Sequence, residues 1–333
     1  MKAGQRPLVI PLVLGVIACA VLSLLVGPVL LSPSLVFKGL VGADPSAAII
    51  VQEIRLPRML LSLSVGGILG LCGAAAQSLA RNPLAEPAVF GTPQAAALGA
   101  VLVLYTGAAP ALSIWLPLAA ITSALISMVF IVWLLRNNQT IVTMLLAGIG
   151  IGSLAGAATS LVISFSNNPF AIMEIVFWMM GSFEDRSMQH VYLVFPFFLV
   201  SCLLIFSCGS GYKALTLGED VAYSLGIDVN RIALLTILAI ALGVGAGVAA
   251  CGAIGFIGLV SPHMVRPFCG GSPSRLLLPA ALVGAVLTTT ADIAVRLLPS
   301  NGELRVGVLT AFIGVPWFIY LVASNRGSTG VLD

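Results

Sequence analysis

The chain has 333 residues, of which 59% are hydrophobic and 8% charged, and its formal net charge is +3. A soluble globular protein carries roughly 25% charged residues, and so few charges would not cover a water-facing surface. The composition therefore excludes an ordinary soluble domain, and fifteen basic residues scattered along the chain exclude a nucleic-acid patch.

A membrane-spanning helix needs roughly 20 mostly apolar residues. Stretches of that length, or close to it, run about 8–31, 59–80, 90–106, 112–135, 141–165, 191–207, 232–250, 254–268, 276–298 and 306–323. The expected fold is an all-α membrane protein of about ten transmembrane helices, a single permease-like domain over 1–333. No stretch is left for an ATPase, receptor or redox domain. Lys2 and Arg6 precede the first run, and Val16-Ile17-Ala18-Cys19 resembles a lipoprotein cleavage box. The run continues to Leu31, longer than the 7–15 residues of a signal core, so it reads as an uncleaved first helix. The 90–106 run is short, and the glycine-rich 232–268 region admits more than one division.

With ten spans both termini face one side. If that side is the cytoplasm, nine basic residues lie inside (Lys2, Arg6, Arg81, Arg136, Lys213, Arg231, Arg266, Arg275, Arg326) and six outside (Lys38, Arg55, Arg58, Arg186, Arg296, Arg305). The outer arginines oppose the preferred orientation. Either they snorkel to headgroups or something uses them. Glycines four apart, at Gly66 and Gly70, Gly148 and Gly152, and Gly243 and Gly247, suit close helix packing in lipid.

Three loops carry content. In Arg81-Asn82-Pro83-Leu84-Ala85-Glu86-Pro87 two prolines end a helix and fix a turn. In 212–231, Val221, Ala222 and Leu225 are spaced for one face of a short helix. Glu219 and Asp220 suit its first turn, and Gly226 its C-terminal end. Such a helix lies on the membrane or docks into a partner's groove. In Gly255 to Arg266, Pro262 interrupts a span and His263 is a lone histidine, with His190 on the opposite side. A metal site needs several convergent ligands, so His263 reads as a hydrogen-bonding residue. The six cysteines, Cys19, Cys72, Cys202, Cys208, Cys251 and Cys269, form no CxxC and read as packing residues. Asp292 and Arg296 share a helix face and read as a structural ion pair that Glu303 and Arg305 are able to join. Asp292 is the one acidic residue expected inside a span, which weighs against an ion-coupled secondary carrier. The chain has no P-loop GxxxxGK[ST], no HExxH and no GxSxG. ATP hydrolysis and covalent catalysis are accordingly not expected of it, nor is a cofactor or metal.

The chain resembles the FecCD-type permease family, whose members import iron-siderophores, haem and cobalamin. The resemblance rests on an ordered set of segments: Arg55-Leu56-Pro57-Arg58; a glycine-rich second span running into Gln77 and Arg81 to Pro87; Leu145-Leu146-Ala147-Gly148; Trp178-Met179-Met180-Gly181-Ser182; Leu217-Gly218 through Leu225-Gly226; Gly255 through Arg266; Asp292 with Arg296; and Gly314-Val315-Pro316. The resemblance implies a type II ABC importer permease with ten helices per subunit, working as a dimer in the inner membrane. Two cytoplasmic ATPase subunits bind below, and a periplasmic substrate-binding protein docks above. It implies docking roles for Arg55, Arg58 and Arg296. ATPase coupling falls to 215–228, with Leu217, Gly218, Glu219, Asp220, Leu225 and Gly226, and an inner gate to Gln139, Thr140, Ile141, Val142 and Thr143. Two departures touch detail: Thr92-Pro93-Gln94-Ala95 stands where the family has Ser-Gly-Ala after the glycine, and Glu303-Leu304-Arg305 where it has Glu-Leu-Pro.

Overall fold

The computed structural model describes residues 6–106, 114–134, 140–298 and 304–325. Lys2, Arg136, Gln139, Glu303 and Arg326 lie outside the described residues. Every regular element among those described is helical, as a chain in lipid requires when it must satisfy its own backbone.

Helix α1 (Arg6–Leu25) is followed by two short helices, α2 (Pro33–Leu40) and α3 (Pro45–Ala48). Helix α3 runs through a π-helical segment, Ile49–Arg55, into α4 (Leu56–Ala80), giving one apolar helix of 36 residues. At 1.5 Å per residue that is on the order of 50 Å, well beyond the roughly 30 Å hydrocarbon layer. The second span thus begins far earlier than residue 59, carrying Arg55 and Arg58 on rigid helix rather than on a loop. Helices α5 (Thr92–Thr106), α6 (Trp115–Leu134) and α7 (Ile141–Ser164) follow the expected spans.

Helix α8 (Pro169–Met179) was not expected; at 11 residues it is too short to register as a span. After α9 (Met188–Ser207) come two short helices, α10 (Gly209–Leu215) and α11 (Glu219–Ser224), then α12 (Val229–Cys251). The stretch 252–256 is non-helical, and the expected span 254–268 is the nine-residue α13 (Ile257–Val265) followed by a 3₁₀ turn, Arg266–Cys269. Helices α14 (Pro273–Leu297) and α15 (Val306–Asn325) are the last described. Among the described residues, seven helices are long and apolar enough to cross a membrane, and Thr92–Thr106, Pro169–Met179 and Val306–Ile319 are shorter apolar helices. The protein is an all-α, multi-pass membrane protein.

Helices α4 and α14 form the centre. A Cβ built on Gly70 would stand 2.2 Å from the Ala280 carbonyl, and one on Gly66 2.4 Å from that of Gly284. Only glycine permits this approach, and it brings the Ser62 and Thr289 hydroxyls to 3.1 Å. Gly148 and Gly152 of α7 likewise receive the backbone of Val89 to Gly91. Gly243 of α12 instead packs against side chains, Ser201 and Ile68. Large apolar side chains left exposed on α1, α6, α7 and α9, among them Leu14, Ile126, Trp133, Leu154 and Phe195, are the surface a bilayer covers.

Candidate functional site

At the end of the bundle expected to face outward, the arginines singled out in sequence converge with Asp292. The Asp292 side chain is 0% exposed. The Nε of Arg58 donates to its Oδ1 at 2.9 Å, and the Nε of Arg296 to its Oδ2 at 3.0 Å. The Arg58 Nη2 stands 2.9 Å from Oδ1, and the Arg296 Nη2 closes a second contact with Oδ2. The expected pair is therefore a buried Arg–Asp–Arg knot joining α4 to α14. A guanidinium presents five N–H donors in a planar fork, which suits two of them to one carboxylate.

Arg55 does not touch Asp292. Its Nη1 donates to the carbonyls of Leu24 and Leu25 at 2.6 and 2.9 Å, and its Nη2 to that of Val29. Arg296 reaches the same helix end, donating to the carbonyls of Ser23 and Val26 and to the Ser23 hydroxyl. The three arginines expected as docking groups are thus mostly buried, Arg55 and Arg296 against the end of α1 and Arg58 against Asp292. Sequence position grouped them at one end of the bundle but said nothing of α1 as a partner.

Beside this knot opens a cavity of about 1150 Å³. Its walls bring together Glu53, Glu174, Glu184 and Asp185 with Arg58, Arg186, Arg296 and Arg305, over aromatic rings from Phe170, Phe177 and Phe183. Arg305 was expected near Asp292; it instead pairs with Glu184 and stacks over Phe177, 5.3 Å from the ring centroid. That contact ties the start of α15 to the α8–α9 connection. The lining is charge-balanced and amphipathic, suited to a large ligand of mixed polarity.

At the end of the bundle expected to face inward, α11 ends in a Schellman motif. Gly226 has φ +78° and donates to the Tyr223 carbonyl, while Ile227 donates to that of Ala222. Gly218 precedes the helix at φ +108°, a conformation only glycine adopts freely. The orientation differs from the expected face: Ala222 is buried, whereas Leu217, Val221, Tyr223 and Leu225 are exposed. Glu219 approaches Arg81 at 3.4 Å, linking α11 to the end of α4. Helix α10 is anchored by the buried Tyr212, whose hydroxyl meets Thr236 at 2.7 Å. Thr140 caps α7 in a reciprocal box with Thr143: each hydroxyl accepts from the other's backbone N–H at 3.2 Å. Ile141 is buried and Val142 exposed. Gln139 lies outside the described residues.

The segment Arg81 to Pro87 was read as a turn fixed by its two prolines, and its depth was not legible. Asn82 Oδ1 accepts from the Leu84 N–H at 2.9 Å and shapes the turn. The segment then folds back into the bundle. Glu86 Oε1 accepts the Phe256 N–H at 2.9 Å, where α13 begins. A helix N-terminus favours a carboxylate, and Phe256, at φ +67°, has no helical acceptor for that N–H. Pro87 packs against Gly258, and Gly91 against Gly148 and Gly152. Gln77 donates to the Leu259 carbonyl at 3.3 Å and accepts from Arg266. Asp292 is not the one acidic residue within a candidate span, since Glu53 falls in Pro45–Ala80; Glu86 lies in the connection after α4, and Glu174 on the short helix α8. The missing sequence clue to Glu86 was the break at 252–256, which supplies the unpaired donor. Five of the six cysteines are buried, and His263 meets the Trp317 ring edge-on at 5.4 Å.

Comparison with known proteins agrees with this architecture. Residues 15–324 match the model of the FecCD transport family. The chain is 35% identical over 298 residues to a Bacillus subtilis (strain 168) protein, YvrB, named an uncharacterized ABC transporter permease, covering 87% of this chain and 84% of that one. It is 38% identical over 315 residues to BtuC, the vitamin B12 import system permease of Vibrio cholerae, covering 94% and 92%. Among solved structures it superposes on a metal-chelate type ABC transporter in an inward-facing conformation, with TM-score 0.87 and 29% identity over 96% of this chain and 99% of that one. The chain belongs to the FecCD transport family and is the transmembrane permease subunit of an ATP-binding-cassette importer.

Proposed function

We propose that this permease conducts a bulky metal chelate, a ferric siderophore, haem or cobalamin, from the outer face to the cytoplasm. The observation that carries the reading is the outer cavity. Its volume, about 1150 Å³, exceeds the roughly 300–1,000 Å³ of drug-sized sites. Its paired charges and aromatic rings suit a large cargo of mixed polarity. Ferric siderophore and corrinoid are the first cargoes to test, the latter because the Vibrio cholerae relative is named for vitamin B12 import.

The subunit works in the inner membrane as a dimer, with both termini cytoplasmic, two ATPase subunits below and a substrate-binding protein above. Arg55, Arg58 and Arg296 form the charged docking ground for that protein; Arg58 and Arg296 line the cavity mouth. Helix α11 and its flanks, Leu217, Gly218, Glu219, Asp220, Leu225 and Gly226, dock on the ATPase; the exposed Leu217 and Leu225 supply apolar contact. The start of α7, Gln139 to Thr143, forms the inner gate. The chain itself performs no covalent chemistry and holds no cofactor. ATP turnover on the partners moves α11 and switches access to the path between subunits.

The test is uptake by the complete importer in liposomes, with ATP inside and either ⁵⁵Fe-loaded hydroxamate siderophore or ⁵⁷Co-cyanocobalamin outside. ATP-dependent accumulation of one of them supports the cargo class. Carriage of neither, with carriage of a small free ion instead, overturns it. The double variant Arg58→Glu, Arg296→Glu is expected to weaken binding-protein docking at least tenfold, measured on the fraction of membrane complex that elutes assembled, since the reversal also strips the buried Asp292 of its cations and lowers the yield. Unchanged docking affinity would remove these residues from the docking ground.

A further inference from the structure

At the end of the bundle that carries α11, a second cavity of about 260 Å³ lies between the last turn of α6, the first turn of α7 and the start of α12. Its depth is apolar: Ile131 and Ile237 are each 1% exposed, and Met144 is buried beside them. Val132 and Leu234 line it from the exposed surface. Trp133 of α6 and Val142 of α7, in the same turns, are exposed apolar groups on the surface that a bilayer covers. The groove is therefore open to hydrocarbon.

The rest of the lining is polar and sits at one end: Asp228, Asn230 and Arg231. Along α12 the lining passes from the charged Arg231 to the buried Ile237, a rise of about 9 Å at 1.5 Å per residue. Asp228 caps the helix, its Oδ1 accepting the Arg231 N–H at 3.0 Å. That leaves its second carboxylate oxygen open. Among the described residues, the Arg231 guanidinium forms no ion pair with Asp228 or with any other carboxylate. An acid and a base thus stand at the mouth of an apolar slot, each with its charge available to a ligand.

We propose that this groove is a site for an amine-bearing zwitterionic phospholipid, with one acyl chain in the slot, the phosphate on Arg231 and the ammonium on Asp228. The volume is below the roughly 300–1,000 Å³ of drug-sized sites, so the slot takes one chain and leaves the remainder of the lipid in the bilayer. Met144, unbranched and adaptable, suits a wall against such a chain. Both headgroup contacts are charge-assisted hydrogen bonds. A quaternary choline has no N–H to give Asp228, and an anionic headgroup without an amine sets its charge against that carboxylate. The bound lipid ties α6, α7 and α12 together one turn from the Thr140 cap, whatever cargo the importer carries.

Photo-crosslinking of the complete importer in phosphatidylcholine nanodiscs tests it, with a trace of phosphatidylethanolamine carrying a diazirine on one acyl chain. Label is expected on the peptides holding Met144 and Leu234. Unlabelled phosphatidylethanolamine should suppress it about threefold or more beyond what equal amounts of phosphatidylcholine or phosphatidylglycerol achieve, the order that one exposed ion pair supports. Asp228→Asn keeps a capping oxygen for α12 and removes the charge, so it should erase that preference while the label stays in the groove. Leu234→Trp fills the slot and should remove the label from the Met144 peptide; if that variant fails to assemble, the competition on the parent protein still decides. Equal competition by all three lipids would reduce the groove to ordinary bilayer contact and overturn the site. Preferential competition by phosphatidylglycerol would overturn the pairing of ammonium with Asp228. Absence of label from both peptides would show that something other than lipid fills the groove, and would overturn the proposal outright.

Discussion

Replacing Asp292 by asparagine keeps the side-chain volume and removes the charge that two arginines share. Asp292 is fully buried, and both Arg58 and Arg296 point their Nε at it. Removing one partner of a buried ion pair costs about 3–5 kcal/mol, because the charge left behind stays desolvated. Arg296 keeps its bonds to Ser23 and Val26, and the asparagine oxygen still accepts one bond. The same range, about 3–5 kcal/mol, is therefore taken for the whole knot rather than doubled. The shift per kcal/mol is about 2–4 °C in chains of 150–250 residues and smaller in a chain of 333, which places the expected drop at about 5 °C. Five buried cysteines make a thiol-reactive fluorophore a direct assay, since each becomes reactive when the bundle opens. Asp292→Ala should fall further than Asp292→Asn. A midpoint for Asp292→Asn within about 2 °C of the parent would refute the reasoning, because the knot would then carry no net charge dependence.

Other predictions follow from single contacts. Glu86→Ala strands the Phe256 N–H and should cost about 1–3 kcal/mol, whereas Glu86→Gln keeps the acceptor and should melt within a few degrees of the parent; equal losses in the two would show that the hydrogen bond is not what matters. Gly284→Ala puts a methyl 2.2 Å from the Gly66 carbonyl and should reduce the yield of folded, monodisperse protein on size-exclusion chromatography, while Gly150→Ala, which meets nothing within the chain, should leave it unchanged. Joint replacement of Glu219, Asp220 and Leu225 by alanine should abolish transport-stimulated ATP hydrolysis with the fold intact by melting; normal coupling in that variant would place the ATPase contact elsewhere.

Much of the bundle was legible because lipid imposes length and apolarity on every span. The ends of α6, α7 and α14 fall within a few residues of the hydrophobic runs for that reason. Helices α8 and α13 escaped or were misjudged because neither crosses alone: α8 is 11 residues and α13 nine, and each depends on neighbours for its depth. The Asp292–Arg296 contact was readable from the four-residue spacing. Arg58 as its second partner was not, because that pairing needs α4 and α14 side by side, 234 positions apart in sequence. The carbonyls that occupy Arg55 were invisible for a different reason: backbone acceptors at a helix end carry no residue identity. Glu86 looked like a loop residue because nothing local says that its segment turns inward. The face of α11 was misassigned because a six-residue helix offers too few positions for periodicity to decide which side is covered.

The non-helical stretch 252–256 bears on biogenesis. Backbone without helical bonds is tolerated at membrane depth only where protein or a water-filled space encloses it. Here the enclosure comes from distant parts of the chain: Glu86 accepts from Phe256, the Ser182 N–H donates to the Cys251 carbonyl, and Gly181 and Gly307 close over the Ala253 carbonyl. As α13 leaves the translocon, Glu86 and Ser182 have already been made, but Gly307 has not. The nascent chain has to hold this segment away from lipid until α15 arrives. A translation product that stops before Gly307 leaves that polar seam uncovered.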